Sequence, residues 1–291
     1  MFRILLPVDL SESTTNACQY ALSLAAAVPD AHILLMHCFQ DYLADADPDT
    51  PSTAGLSPSD VVTERVLHRN EAEAQQQFDA LYESLLSRTR STAGHVHLDR
   101  TFIHGLPEDR IPEQIERFHP NLVIMGTKGE SNLARSFFGT VTTKLVQDIR
   151  VPVLTVPQHV EAHRISRVLY ATDFDATDTQ TIADLLQLLE PLQPVTYCVH
   201  VSEHSDKKDR EKLAALQQEL QSSTGGNVHF MLLEGDNVAD TLQDFAKKES
   251  IDVLALTTRE RDILASIFSP SLAKKLVLHA ELPLLVFHSE A

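Results

Sequence analysis

Val123-Ile124-Met125-Gly126-Thr127-Lys128-Gly129-Glu130-Ser131-Asn132-Leu133-Ala134-Arg135-Ser136-Phe137-Phe138-Gly139-Thr140-Val141-Thr142 is the stretch that decides the fold of this chain. An apolar run of strand type, Leu122 to Met125, stops at Gly126. A second glycine follows at Gly129, and Gly139-Thr140 opens a stretch of helical character, giving the spacing G-x2-G-x9-G-T. A strand handed through glycines to a helix N-terminus gathers unpaired backbone N–H groups and the positive end of a helix dipole at one spot. That arrangement suits phosphate. Glycines let the backbone approach an anion because no Cβ intervenes, and Thr140 and Thr142 add hydroxyl donors. Lys128 lies inside the loop, where it either neutralises phosphate charge or stays solvated. Spacing alone also admits a plain glycine turn followed by an ordinary helix cap.

Outward from this loop, short apolar runs alternate with longer amphipathic stretches. In the first half, strands are expected at Ile4–Val8, Ile33–Phe39, Val96–Ile103, Leu122–Met125 and Val153–Val156. Helices are expected from Ser11 or Ser13 to about Val28, from Asp60 to Arg90, from Pro107 to Phe118 and over Thr140–Asp148. Residues 40–59, with Pro48, Pro51 and Pro58, read as a loop. The order then recurs. Arg167–Ala171, Val195–Val201, Val228–Leu233, Ile251–Leu256 and Leu284–Phe287 read as strands. Thr177–Leu189, Lys207–Gln221, Val238–Lys248 and Ser271–His279 read as helices. The ends of the two halves align without a gap at an offset of 131: Phe137 falls on Phe268, Lys144 on Lys275 and Pro152 on Pro283. This is an internal duplication. Strands alternating with helices imply α/β architecture, parallel sheets with helices on both faces. Repeats of this length are whole domains. Two sheets rather than one large one are therefore expected, over residues 1–157 and 166–291, with Pro157–Ser166 as linker.

The 291 residues, 43% hydrophobic and 22% charged, have ordinary globular composition. Net charge is −17 and evenly shared: residues 1–160 carry 12 basic and 20 acidic side chains, residues 161–291 carry 12 and 21. Neither half offers the concentrated positive surface that nucleic acid or an anionic membrane requires. No run of 18 apolar residues exists, so no membrane span is expected. The N-terminal apolar run is cut by Pro7 and Asp9, too early for a signal peptide. Cys18, Cys38 and Cys198 show no paired spacing, which suits a reducing compartment, and the cytoplasm is the expected location.

The glycine stretch resembles the nucleotide motif of the universal stress protein family, in its ATP-binding branch. Pro7-Val8-Asp9, Leu35-Met36-His37-Cys38 and the closing Val151-Pro152-Val153-Leu154-Thr155-Val156 resemble that family too, and the likeness covers nearly the whole chain twice. The resemblance implies, in each half, an open five-stranded Rossmann-like sheet of order 3-2-1-4-5. Strands one and four then flank the point where the winding reverses, and ligands in such sheets sit in that crevice at the carboxyl ends. By position, Asp9 resembles the family's ribose-contacting carboxylate, and Pro7, with Val8 beside it, and Cys38 resemble the adenine lining. Met125, Gly126, Lys128, Gly129, Gly139, Thr140, Val141 and Thr142 form or adjoin the phosphate-contacting stretch. Cys38 departs from the commoner aliphatic residue. The implied cofactor is ATP, with or without Mg2+.

The second copy lacks this motif. Gly126 maps to Thr257, Gly129 to Glu260, Gly139 to Pro270 and Thr140 to Ser271. Glu260 adds negative charge and Pro270 removes an N–H. Asp173 survives opposite Asp9. The second half is expected to be structural or regulatory, or to hold another ligand with Arg259 and Arg261 as anion contacts. Val153–Val156 and Leu284–Phe287 are apolar edge strands, expected to pair the halves as an intramolecular pseudo-dimer. Association of two chains and the identity of protein partners are left open.

No Walker A lysine and no Ser-His-Asp order stands out, so no catalytic residue is assigned. His95 and His97 share one face of a strand without an evident third ligand, so no metal site is assigned. Three functions are weighed: an ATP-binding stress-response or regulatory module, a slow ATP hydrolase or phosphotransferase, and a nucleotide-free interaction scaffold.

Overall fold

In a computed structural model, residues 1–40, 58–92, 95–127, 140–158, 160, 164–203, 206–221, 227–258 and 282–288 are described. The first half runs β1 (Phe2–Val8), α1 (Glu12–Ala26), β2 (Ala31–Phe39), α2 (Pro58–Thr92), β3 (Val96–His104), α3 (Pro107–Phe118), β4 (Leu122–Gly126), α4 (Thr140–Asp148) and β5 (Val153–Val156). The second runs β6 (Arg167–Ala171), α5 (Asp178–Leu189), β7 (Val195–Ser202), α6 (Lys207–Leu220), β8 (Val228–Glu234), α7 (Val238–Glu249), β9 (Val253–Thr258) and β10 (Leu284–His288). The expected helix Ser271–His279 and residues 41–57 of the expected loop lie outside the described residues, while Pro58 and Ser59 belong to α2.

Each half keeps the expected strand order, and its strands are parallel. The expectation of two separate sheets is corrected. β5 and β10 pair antiparallel, and all ten strands form one sheet, β3-β2-β1-β4-β5-β10-β9-β6-β7-β8. The register sets Leu284 against Thr155, Leu285 against Leu154 and Val286 against Val153. The physical reason is the edge itself. Unpaired, β5 would present apolar side chains beside a row of bare N–H and C=O groups. Paired, it is buried throughout, and the Thr155 hydroxyl donates to the Leu284 carbonyl at 3.3 Å.

The central strands are apolar runs without alternation, because helices cover both faces. One face packs against α1, α2, α5 and α6 through residues such as Tyr20, Leu24, Phe78, Ile182 and Leu216. The other packs against α3, α4 and α7 through Ile111, Leu145 and Phe245. Both cores run across the joint between the halves. The chain between β5 and β6 is held to α1 by Asn16, whose side-chain amide donates to the carbonyls of Pro157 (3.2 Å), Gln158 and Val160 (3.0 Å). Ile165 then enters the first of these cores.

Candidate functional site

The pairing of β1 with β4 covers only Ile4 with Leu122 and Leu5 with Val123. Beyond it the carboxyl ends of the two strands bring Pro7, Val8 and Asp9 to the same edge of the sheet as Met125 and Gly126. α4 begins at Thr140, and the Thr142 hydroxyl donates to the Gly126 carbonyl at 3.3 Å, tying the helix start to the strand end. Of the expected phosphate residues, Lys128, Gly129 and Gly139 lie outside the described residues, as does the side chain of Thr140.

Asp9 is exposed and firmly oriented. Its Oδ1 accepts from the Ser11 backbone N–H (3.0 Å), the Ser11 hydroxyl (2.6 Å) and the Thr14 hydroxyl (2.9 Å). Ser11 occupies the N-cap of α1 but makes no side-chain cap bond; its hydroxyl serves Asp9 instead. The intervening Leu10 has a φ of 61°, a left-handed conformation that costs a non-glycine residue about 1–2 kcal/mol. Phe174 repeats it, also at 61°, directly after Asp173.

The faces divide the remaining residues. Cys38 and Val141 pack at the margin of the core under α3 and α4, which also contains Met125. Val8 belongs to the opposite core, so its side chain does not share their side. What Val8 offers at the crevice is backbone, and its carbonyl is already engaged: His37 Nδ1 lies 2.8 Å away and must donate, because a carbonyl only accepts. His200 makes the same bond to the Thr172 carbonyl at 2.8 Å in the second half. Burial pushes the Cys38 thiol up to about 12, despite Arg110 nearby, so it stays protonated and serves as a small apolar wall.

Burial lowers the pKa of His37, opposed by the Val8 carbonyl and the charge of Asp9. The unfolded chain therefore takes up this proton first, at about 6.5. The stability that neutral His37 contributes is full above that pH and is lost as pH falls toward the folded value. The thermal midpoint should accordingly drop more between pH 7.5 and 5.5 in the wild type than in His37→Asn, whose amide can still donate to Val8. Equal drops by differential scanning calorimetry would refute this.

In the second half, Asp173 is exposed at the position of Asp9, and a second carboxylate, five residues on, is buried. Asp178, 2% exposed, accepts from the Tyr170 hydroxyl at 2.6 Å, from the Thr172 hydroxyl and from the Asp175 N–H at 3.0 Å. Burial pushes its pKa up, opposed by the Thr172 and Tyr170 hydroxyls, with Asp173 adding repulsion. Glu260, Pro270, Ser271, Arg259 and Arg261 lie outside the described residues. His97 packs edge-on to His32 at 6.3 Å, and His32 pairs with Asp99 at 2.8 Å. Among the described residues, no group of three or more His, Cys, Asp or Glu side chains could hold a metal ion.

Sequence reasoning missed Thr14, the carbonyl bond of His37, and the set of Tyr170, Thr172 and Asp178. One signal was available: Asp178 stands where the first half has Thr14, and Tyr170 where it has Leu6, two unlike exchanges at one place in the repeat.

Two doubly wound units joined through their fifth strands define a tandem α/β protein of the Rossmann-like class. Comparison with known proteins narrows this. The sequence model of the Universal stress protein family matches residues 1–157 and again residues 164–288, and the chain belongs to that family. Universal stress protein MJ0531 of Methanocaldococcus jannaschii is 25% identical over 156 residues, 53% of this chain and 81% of that protein. The crystal structure of a universal stress protein from Archaeoglobus fulgidus DSM 4304 superimposes with a TM-score of 0.65 at 19% identity, covering 98% of each chain. A functionally unknown protein from Pseudomonas aeruginosa PAO1 gives 0.58 at 17% identity, over 98% of this chain and 92% of that one. At these identities the structural likeness speaks for the fold. Among the described residues no helix is long and apolar enough to cross a membrane.

Proposed function

We propose that residues 1–157 bind one adenine nucleotide, ATP with or without Mg2+, and that residues 166–291 serve as a structural or regulatory partner unit. On this reading the protein is a cytoplasmic stress-response module that works by binding rather than by rapid turnover. One observation carries it. The oriented carboxylate of Asp9 and the Gly126–Thr142 junction, more than 100 residues apart in sequence, meet at the carboxyl ends of neighbouring strands.

The residues present fit such a ligand. A carboxylate anchored through one oxygen can accept from sugar hydroxyls at the other. The first turn of α4 supplies N–H groups and a favourable dipole for phosphate. Pro7, Cys38, Met125 and Val141 supply apolar surface at the crevice for a base. Mg2+ would be held chiefly by the phosphates, as is usual for that ion. Among the described residues, the Cys38 thiol beside the crevice is held protonated by burial and is not an activated nucleophile for the hydrolase reading.

Isothermal titration with ATP should give one equivalent per chain, and Asp9→Ala should weaken binding about tenfold by removing a hydrogen-bonded charge. Two equivalents would show a second functional crevice. No heat, together with an unmoved melting temperature at millimolar ATP, would favour the scaffold, because a ligand that binds the folded state must stabilise it.

A further inference from the structure

The duplication supplies an internal control for the second crevice. At the carboxyl ends of β1 and β4 and in the first turn of α1 stand Leu6, Val8, Gly126 and Thr14; the same repeat positions in the second half hold Tyr170, Thr172, Thr257 and Asp178. Three of the replacements put a polar group where the first half has none, and the fourth turns a hydroxyl into a carboxylate. In the first half Leu6 and Val8 simply join the core. In the second, the new groups find one another.

The direction of each hydrogen bond follows from its chemistry. Asp178 Oδ1 lies 2.6 Å from the Tyr170 hydroxyl, so the phenol donates there. Having spent its proton, the Tyr170 oxygen accepts from the Thr257 hydroxyl at 2.7 Å. Asp178 Oδ2 takes the Thr172 hydroxyl and the Asp175 N–H, and the Phe174 N–H supports Thr172 from behind at 3.0 Å. A chain of donors thus runs from the end of β9, through β6, to a carboxylate in the first turn of α5. The ring of Phe174 lies 4.1 Å from that of His200, with the Lys212 ammonium 5.2 Å from its centroid. A buried carboxylate persists only when its lone pairs are met. Here they are met by Tyr170 on β6 and by Thr172 and the Asp175 N–H in the turn that follows, with β9 joined through the bond of Thr257 to Tyr170.

We propose that the second half is self-liganded: the Asp178 carboxylate, Tyr170, Thr172 and Thr257 tie β6, β9 and α5 together inside the crevice and close it to any exogenous anion or nucleotide. The proposal concerns the second half alone and stands whether or not the first half binds ATP.

Hydrogen–deuterium exchange on the full chain tests it at the amides of Val253–Thr258. They should exchange slowly without ligand, at a rate that millimolar ATP or millimolar inorganic phosphate does not change. Slowing of these amides by either would overturn the proposal, because the crevice would then be open. Tyr170→Phe, which keeps the ring and removes the hydroxyl, should speed exchange in β9 at least tenfold. It should also lower the melting temperature by roughly 5–10 °C, the size expected when a buried carboxylate loses a donor. Should that variant be too unstable to purify, Thr257→Val removes only the outermost hydroxyl, with an expected fall of about 2–4 °C and faster exchange in β9. Unchanged β9 exchange in either variant overturns the proposal.

Discussion

Replacing Gly139 by proline should weaken ATP binding roughly 30- to 150-fold, equivalent to about 2–3 kcal/mol. Gly139 directly precedes Thr140, where α4 begins, and on the proposed reading its N–H is one of the donors to phosphate. Proline removes that donor, and hydrogen bonds to a charged acceptor are the strong ones. It also fixes φ and puts ring carbons where the backbone must approach the anion. The fold should survive, with a ligand-free melting temperature within about 2 °C of the wild type, because Pro270 holds the corresponding position in the second copy. Titration calorimetry and thermal denaturation measure the two quantities separately. Full retention of affinity would place the phosphates elsewhere.

Residues 1–157 produced alone should not remain monomeric. In the whole chain, Val153, Leu154, Thr155 and Val156 are at most 2% exposed, and β10 supplies their cover. Cutting the chain after β5 leaves that strand as a bare apolar edge, which a second copy can pair with in the same antiparallel manner. Light scattering should report a dimer. A stable monomer at micromolar concentration would mean that β5 needs no partner. In the intact chain, Leu285→Lys sets a charge opposite Leu154 at a position 2% exposed, and a fall in melting temperature of about 10 °C is expected.

The repeat, the element order and the two converging segments were legible because they depend on spacing, and the offset of 131 holds through the last helix and strand. The apolar character of β5 and β10 announced that each needs a partner. That they form one sheet follows only from which edges meet, a matter of geometry between halves. Facing was illegible for another reason. A strand buried on both sides has no alternation, so nothing in Leu5-Leu6-Pro7-Val8 tells that Val8 turns away from Cys38 and Met125. The left-handed turn at Leu10 could not be read either, since leucine carries no preference for it. It is that turn which curls the chain so that Thr14, five residues on, reaches Asp9. Asp178 by itself reads as an ordinary acidic residue at a helix start; the paired exchanges at Tyr170 and Asp178 hint at a contact, and the structure shows the carboxylate buried against the Tyr170 hydroxyl.

The β5–β10 joint is antiparallel, whereas every strand pair within either half is parallel. The two sets of strands therefore run in opposite senses, and the crevice at the carboxyl ends of β1 and β4 opens on one rim of the sheet while that of β6 and β9 opens on the other. A protein that docks over the first mouth meets beside it not a second mouth but the amino ends of the other half, where Asp252 accepts from the backbone N–H groups of Ser166 and Arg167. Gene duplication built a frame with near-twofold symmetry, yet its surface is vectorial: each rim pairs a mouth from one half with strand beginnings from the other. Two partners approaching from opposite rims would read different chemistry, and a single partner could tell which way round the molecule lies.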